Sequence, residues 1–226
     1  MVDYADLAKP VIISAAFGSL AGWLYSVARF DTLPHALAVL LLTGVSLVAL
    51  MRRSRALARV ARLTAAVTAA WMLADTIAHF GVLPYVLLFT VPLFYRFVFT
   101  SASVLGGMFG ANMGPAFLFV APIVSLVDVV MVYKSRLYFG LVVFNDATIE
   151  LTASFKTFRL GFADFLWYAA TVAAAGPAKA PLAALAIYAG LLATVRIVQR
   201  CGYAPALPLP LLLAQLAFLV PIPLFS

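Results

Sequence analysis

The sequence predicts an all-α, polytopic helical membrane protein with about nine transmembrane helices. Of its 226 residues, 65% are hydrophobic and only 10% are charged, and the mean hydropathy is +1.10, well outside the range of soluble domains. The long stretches are apolar on every face, whereas the strands of a membrane barrel alternate apolar and polar residues. Helices satisfy their own backbone hydrogen bonds in lipid. The sequence therefore indicates one membrane-embedded domain that covers residues 1–226.

Seven apolar stretches each have roughly the length of one membrane-spanning helix, about 20 residues. They are Pro10 to Phe30, Pro34 to Met51, Leu63 to Phe80, Pro115 to Tyr133, Leu160 to Ala175, Pro181 to Ile197 and Tyr203 to Phe225. A further apolar stretch, Val82 to Gly110, has Arg96 at its middle. It is too long for one ordinary span and short for two, so length alone favours eight spans.

Charge favours nine spans. Two basic loops flank the middle of the chain: Arg52, Arg53, Arg55, Arg59 and Arg62 form one, and Lys134, Arg136, Lys156 and Arg159 flank the other. The positive-inside rule places both loops in the cytoplasm, which requires an even number of crossings between them. Two short helices that turn near Arg96 meet this requirement. Arg96 would then extend to the interface, the alternative being a buried ion pair. Because the net charge of +7 lies beside apolar stretches, nucleic acid is not a predicted partner.

The connection before the C-terminal helices is long enough to hold structure of its own. The domain divides into N-terminal helices that include the first Asp helix, a cytoplasmic loop and a C-terminal three-helix part, at residues 1–133, 134–159 and 160–226. Within the loop, Tyr138 to Phe144 and Ala147 to Thr152 are rich in β-branched and aromatic residues, with a turn signal between them. These features predict a β-hairpin. The alternative is an amphipathic segment at the interface.

Three of the eight acidic residues, Asp75, Asp128 and Asp164, lie inside apolar spans. A carboxylate there costs about 2.5 to 3.5 kcal/mol, which makes each a candidate functional residue. Asp128 precedes Lys134 by six residues and Asp164 follows Arg159 by five. At about 1.5 Å per residue, both carboxylates lie roughly 7 to 9 Å inside the same membrane face.

Asp75 lies at a different depth. It is thirteen residues beyond Arg62, which corresponds to roughly 20 Å and places it nearer the opposite face. With His79 four residues later, it could form a small proton or ion site. A structural polar contact between helices is the other interpretation, and we favour it.

Two carboxyl groups that meet in a low-dielectric site tend to hold a single proton between them. The ionised partner can then take a proton from water while the protonated partner polarises a peptide carbonyl. Metal chemistry is not predicted, because no H-E-x-x-H helix occurs and Cys201 is the single cysteine. The two histidines, His35 and His79, lie near no serine-nucleophile motif. The sequence therefore predicts no metal and no cofactor.

Three short segments resemble one known family. The segment Leu160 to Tyr168, which reads LGFADFLWY, resembles the G-x-G-D segment of presenilins and signal peptide peptidases. Val124 to Val132 is similar to the Y-D helix of that family, and Pro205 to Leu207 matches its P-A-L motif. The three segments occur in the family's order and cover roughly the C-terminal half of the chain. Val127 stands where the family has Tyr, and Ala163 stands where it has Gly.

The resemblance implies an intramembrane aspartyl protease of the archaeal presenilin type, with Asp128 and Asp164 as the catalytic pair. It also implies a scaffold and substrate-binding set of six residues: Gly161, Phe162, Ala163, Pro205, Ala206 and Leu207. The expected substrates are single-span transmembrane helices or signal peptides, and the expected location is the cell membrane. Neither a cofactor nor a metal is implied.

Two other functions fit the same residues. In a proton- or ion-coupled transporter or channel, Asp75, Asp128, Asp164 and Arg96 would form a relay through the membrane. In a catalytically silent relative, the chain would bind membrane helices without cutting them.

Overall fold

The computed structural model describes residues 4–28, 33–80, 86–135, 150–155 and 158–219. Most of these residues are helical, which confirms the predicted all-α class. Nine α-helices lie in this part of the chain: α1 (Tyr4–Ala28), α2 (Leu33–Met51), α3 (Arg55–Ala78), α4 (Val86–Arg96), α5 (Val98–Met113), α6 (Phe117–Ser135), α7 (Phe162–Ala174), α8 (Ala180–Cys201) and α9 (Pro208–Leu219). Two short strands, β1 (Thr152–Ser154) and β2 (Arg159–Gly161), precede α7.

Five helical stretches of the described residues are long and apolar enough to span a membrane. They are α1, α2, α3, α8 and the run from α5 to α6, Val98–Tyr133. Three helix starts lie five or more residues from the start of the predicted span. The first helix begins at Tyr4 instead of Pro10. The third helix begins at Arg55 instead of Leu63, because arginine is a good helix former and carries the helix beyond the apolar stretch. The last begins at Pro208 instead of Tyr203, because proline fits the first turn of a helix but breaks its interior.

Glycines bring three helices into close contact at the centre of the bundle. A Cβ on Gly106 or Gly110 of α5 would collide with the carbonyl oxygen of Leu166 or Ala170 on α7. A Cβ on Gly18 of α1 would meet Ala169 of α7 in the same way. Small residues of this kind let membrane helices approach backbone to backbone. Gly106 lies beside Leu166, and four residues later in both helices Gly110 lies beside Ala170. Helices α5 and α7 therefore run in the same direction.

The chain reverses between α5 and α6. A short 3-10 turn, Gly114–Ala116, joins them, and Gly114 has φ +49°, a conformation that glycine adopts readily. Beyond the turn, α6 runs antiparallel to α9: the Gln215 side chain donates to the carbonyl of Leu118 at 3.0 Å, and ten residues later in α6 the Asp128 carboxylate accepts from the Leu207 amide.

The arginines of the first basic loop, Arg52 to Arg62, mark one end of the bundle, which we call the basic end. Here α4 ends at Arg96 and α5 begins at Val98. The Arg62 guanidinium donates to the carbonyl oxygens of Tyr95 at 2.6 Å and Arg96 at 2.9 Å, both at the end of α4. The helix is therefore interrupted at Phe97, next to Arg96, where the sequence predicts a turn. The Arg96 side chain is exposed at this end and lies over the Phe97 ring, 5.5 Å from its centroid.

The predicted hairpin between Tyr138 and Thr152 lies mostly outside the described residues. Where the two overlap, the structure differs: Glu150 and Leu151 are helical, and the strand starts at Thr152, where the prediction ended it. The hairpin that the structure describes lies further on, with Thr152 paired to Gly161 and Ser154 paired to Arg159. Glu150 precedes this hairpin, and its carboxylate accepts hydrogen bonds from arginines at the basic end, contacts that local strand propensity does not include.

Candidate active site

Asp164 lies in the first turn of α7. The residue before this helix, Gly161, is extended, with φ −82° and ψ 165°. Its amide donates to Asp164 Oδ2 at 2.7 Å. The Asp164 carboxyl group is buried, with 3% of the residue exposed. A helix N-terminus carries unpaired amides and a partial positive charge, so it stabilises a carboxylate that apolar surroundings would otherwise destabilise.

Asp128 lies on α6, and its carboxyl group contacts the segment that leads into α9. The Leu207 amide donates to Asp128 Oδ2 at 2.9 Å. Leu207 stands between Pro205 and Pro208, which have no amide hydrogen. Because α9 begins only at Pro208, the Leu207 amide has no partner of its own within a helix. The carboxylate supplies that partner.

A cavity of about 140 Å³ is lined by both carboxyl groups. Side chains of α2, α6 and α7 line it, together with Leu151, Gly161 and Leu207. The wall is mostly apolar. One exception is the Ser46 hydroxyl of α2, which is buried and has no hydrogen-bond partner among the described residues. The space is large enough for water, and Ser46 offers that water or a bound peptide one more polar contact.

Most of the predicted site residues meet at this cavity. Its lining includes Gly161, Phe162, Ala163 and Leu207, and it also includes Val127, the residue just before Asp128. The remaining two, Pro205 and Ala206, precede Leu207 without lining the cavity themselves. Three segments that are far apart in the sequence therefore come together around Asp128 and Asp164.

Sequence reasoning assigned no role to Tyr168, which the structure connects to this site. Tyr168 is one helical turn after Asp164 on α7 and is fully buried. Its hydroxyl donates to the Ala206 carbonyl oxygen at 2.8 Å. The available signal was the i, i+4 spacing from Asp164, since a buried tyrosine hydroxyl usually finds a hydrogen-bond partner.

Glu150 ties the strand region to the basic end. Its carboxylate accepts hydrogen bonds from Arg62 at 3.0 Å, Arg59 at 3.1 Å and Arg55 at 3.3 Å, all on α3. Burial of the Glu150 carboxyl raises its pKa, but the hydrogen bonds from Arg59, Arg62 and Arg55 outweigh that effect and lower the pKa below its ordinary value of 4.5. The next residue, Leu151, lines the cavity. This cluster thus anchors the chain immediately beside the cavity.

Asp75 does not join the site. Its carboxylate lies 3.2 Å from Nε2 of the buried His35 on α2, and His35 Nδ1 lies 3.1 Å from the Tyr25 hydroxyl of α1. The pairing joins three helices, as expected for a structural polar contact. The predicted alternative paired Asp75 with His79, whereas the structure pairs it with His35.

Two carboxyl groups at one cavity can divide acid and base roles, because close like charges disfavour double ionisation. One group can hold a proton and donate a hydrogen bond while the other accepts a proton. No cluster of three or more His, Cys, Asp or Glu side chains that could hold a metal ion occurs within the described ranges. Two carboxyl groups that line one cavity offer acid–base chemistry to a group that enters it.

The sequence was compared with protein-family models and with curated proteins. No protein-family model matches the chain, and no curated protein matches it significantly. The candidate site therefore stands on its own residues and their geometry.

Proposed function

We propose that this chain is an intramembrane aspartyl protease that hydrolyses peptide bonds within or near transmembrane helices. One observation carries the proposal: Asp128 and Asp164, on different helices, line the same largely apolar cavity. Placing two carboxyl groups in apolar surroundings costs free energy, and folding alone does not require these groups there. Acid–base hydrolysis of an amide explains why both are present.

In the proposed reaction, a water molecule lies between the two carboxyl groups. The ionised carboxylate takes a proton from this water as its oxygen attacks the peptide carbonyl carbon. The protonated partner donates to the carbonyl oxygen, which gives a tetrahedral diol. Transfer of a proton to the amide nitrogen then breaks the C–N bond and releases an amine and a carboxylic acid. The two apparent titrations belong to the pair and not to either aspartate alone.

The proposed substrates are single-span membrane helices, including remnant signal peptides. A helix in lipid keeps its peptide bonds within its own hydrogen-bond ladder, so it must unwind before it can be cut. The hairpin of β1 and β2 lies beside the cavity, and Gly161 belongs to both the hairpin and the lining. An unwound substrate strand could add to this sheet by β-augmentation, which would hold its backbone extended next to the carboxyl pair.

The proposal extends to a presenilin-like arrangement of nine spans. In that arrangement α4, α7 and α9, of which 11, 13 and 12 residues are described, each form one crossing, and α5 and α6 are separate ones. The alternating helix directions around the Arg96 and Gly114 turns support it. The segments that resemble presenilins and signal peptide peptidases are those that meet at the cavity, which supports placing the chain in that family.

The direct test is cleavage of single-span substrates by the full chain reconstituted in liposomes. We expect Asp128→Asn and Asp164→Asn each to lower the cleavage rate by about a thousandfold, because each removes one member of the acid–base pair. Asp75→Asn is the matched control, since it removes an intramembrane carboxylate that pairs with His35 away from the cavity. Cleavage by Asp164→Asn at the wild-type rate would disprove the proposal.

The same preparation separates the two alternative functions. A transporter would show ion or proton flux that depends on Asp75 and Arg96 as well as on the pair. Among the described residues, Asp75 contacts His35 and Arg96 is exposed at the basic end, and neither of them lines the cavity. A silent relative would bind single-span helices without releasing a cleaved product.

A further inference from the structure

The peptide unit that joins Ala206 to Leu207 is held from both sides. Its carbonyl oxygen accepts a hydrogen bond from the Tyr168 hydroxyl at 2.8 Å. Its amide hydrogen is donated to Asp128 Oδ2, at an N···O distance of 2.9 Å. Both groups belong to one planar amide, so movement of one displaces the other. The peptide unit is therefore a rigid bridge between Tyr168 of α7 and Asp128 of α6.

The local sequence explains why this peptide depends on outside partners. Pro205 and Pro208 flank it and cannot donate, and α9 begins only at Pro208. Ala206 and Leu207 are both buried, at 4% and 3% exposed. A buried backbone group without a hydrogen bond is costly, most of all in an apolar setting. Tyr168 satisfies one end of the peptide and Asp128 satisfies the other.

Hydrogen bonds in such a chain strengthen one another. Donation from the Tyr168 hydroxyl polarises the Ala206 carbonyl, and the polarised peptide has a more positive amide hydrogen. That hydrogen then holds the ionised form of the Asp128 carboxyl more firmly and fixes the plane of the group. Tyr168 itself is not part of the cavity lining, and its hydrogen bond connects it to Asp128 through the peptide.

We infer that Tyr168 is a positioning residue for the carboxyl pair, acting on Asp128 through the Ala206–Leu207 peptide. Helix α7 then carries Asp164 directly and holds Asp128 indirectly from one turn further along. A single helix thereby sets the geometry of both carboxyl groups. The inference rests on the proposed function for its catalytic consequence, while the bridge itself is a property of the fold.

The test is Tyr168→Phe, which removes one oxygen atom and keeps the ring. Thr171→Val is the matched control: Thr171 is a fully buried hydroxyl on the same helix, and it bonds the Trp167 carbonyl within α7. For Tyr168→Phe we expect kcat to fall about tenfold, with KM changed less than about twofold, because no lining residue is altered. The acidic limb of the pH–rate profile should move up by about 0.5 pH unit, since the ionised carboxylate is held less firmly.

Equal losses of kcat in Tyr168→Phe and Thr171→Val, with the acidic limb unmoved, would show a merely structural role and overturn the inference. So would wild-type kinetics in Tyr168→Phe. Failure of the proposed function would give a different result. Either the wild type would not cleave at all, or the Asp164→Asn variant would still cleave.

A second measurement is independent of cleavage. Between residues 204 and 210, prolines at 205, 208 and 210 leave few exchangeable amides, so hydrogen exchange in this segment reports closely on Ala206 and Leu207. We expect Tyr168→Phe and Asp128→Asn to accelerate exchange there by at least about tenfold, and Thr171→Val to leave it unchanged. Unchanged exchange in Tyr168→Phe would overturn the bridge whatever the enzyme does.

Discussion

Ala163 places a methyl group on the wall of the cavity, next to Asp164 in the chain. In the family that the sequence resembles, this position is glycine. An extended peptide bound beside Asp164 would have to pass this methyl group. The side chain therefore limits how closely a substrate backbone can approach the carboxyl pair, while it stabilises the first turn of α7 relative to glycine.

We expect Ala163→Gly to raise kcat/KM severalfold for substrates with bulky residues at the cleavage site, because the backbone gains room. It should also cost about 0.5 to 1 kcal/mol of stability, the usual penalty for glycine in a helix. Rates for a matched series of small and bulky substrates, with thermal unfolding measured alongside, check both effects. Ala174→Gly, at the far end of α7, is the control. Equal rates for all substrates would contradict the expectation.

Single residues differed in how far sequence could predict their roles. Asp128 and Asp164 stand out because a carboxylate inside an apolar span is costly, and their distance from the flanking basic residues predicts a common depth. Tyr168 does not stand out, because its partner Ala206 is 38 residues away and a buried tyrosine between apolar neighbours is typical of a packed helix.

At the scale of elements, the anchoring of the strand region by Glu150 joins the first basic loop to the cavity wall. Arg55, Arg59 and Arg62 lie on successive turns of α3 and converge on one carboxylate. The residue after Glu150 lines the cavity. Loosening this cluster should therefore affect the hairpin before it affects the transmembrane helices.

We expect Glu150→Gln to be less stable than the wild type by about 0.5 to 1 kcal/mol at pH 7, a small value because two of the three arginines are about half exposed. Since folding lowers the Glu150 pKa, its contribution is complete above the ordinary value of 4.5 and is lost as the pH falls through the lowered value. Thermal unfolding at pH 7 and at a series of values below pH 4.5 measures this difference, which should shrink as the pH falls. A difference of the same size at every pH would contradict the expectation. Arg59→Gln, which removes one of the three hydrogen bonds to Glu150, is the comparison for a partial loss.

Elements with a strong one-dimensional signal could be predicted from the sequence. The turn at Arg96 follows from a charge in an overlong apolar stretch, and the structure has its helix break there. The hairpin could not be placed, because strand propensity near Thr152 says nothing of the distant arginines that hold Glu150 in a helical turn. The start of α9 likewise depends on which of several prolines opens the helix.

At the scale of the whole molecule, the proposed nine spans place Cys201 on the same side as the basic loop. Cys201 is the one cysteine of the sequence, it ends α8, and it is exposed. Ala178 lies in the turn between α7 and α8, at the opposite end of that helix, and is also exposed. These two positions report on the two faces of the membrane.

We expect a membrane-impermeant maleimide to label Cys201 in inside-out vesicles and not in intact cells, because the positive-inside rule predicts that the arginine-rich loops stay in the cytoplasm. In Cys201→Ser carrying Ala178→Cys, the pattern should reverse. Cys201→Ser alone is the background control. Labelling of both positions from one side would refute the alternating arrangement.

The packing of the whole bundle could be predicted least. Gly18, Gly106 and Gly110 look like incidental glycines in apolar helices, yet they are the points at which three helices touch backbone to backbone. Which helices meet through such residues depends on three-dimensional pairing that one sequence does not encode in any local pattern. The prediction that the two carboxylates share one depth, by contrast, needs only the number of residues between each of them and the loop that joins their helices.

One of the helices that line the cavity is short. With 13 residues, α7 rises only about 20 Å, whereas the hydrocarbon layer of a bilayer is about 30 Å thick. Nearly every residue from Phe162 to Val172 is buried, so neighbouring helices surround α7 along most of its length. In the proposed bundle, about 10 Å of the hydrocarbon thickness is therefore left to the segments that flank α7. Their backbone groups would lie at membrane depth, where protein and not lipid must satisfy them, and the Gly161 amide that donates to Asp164 is one such group.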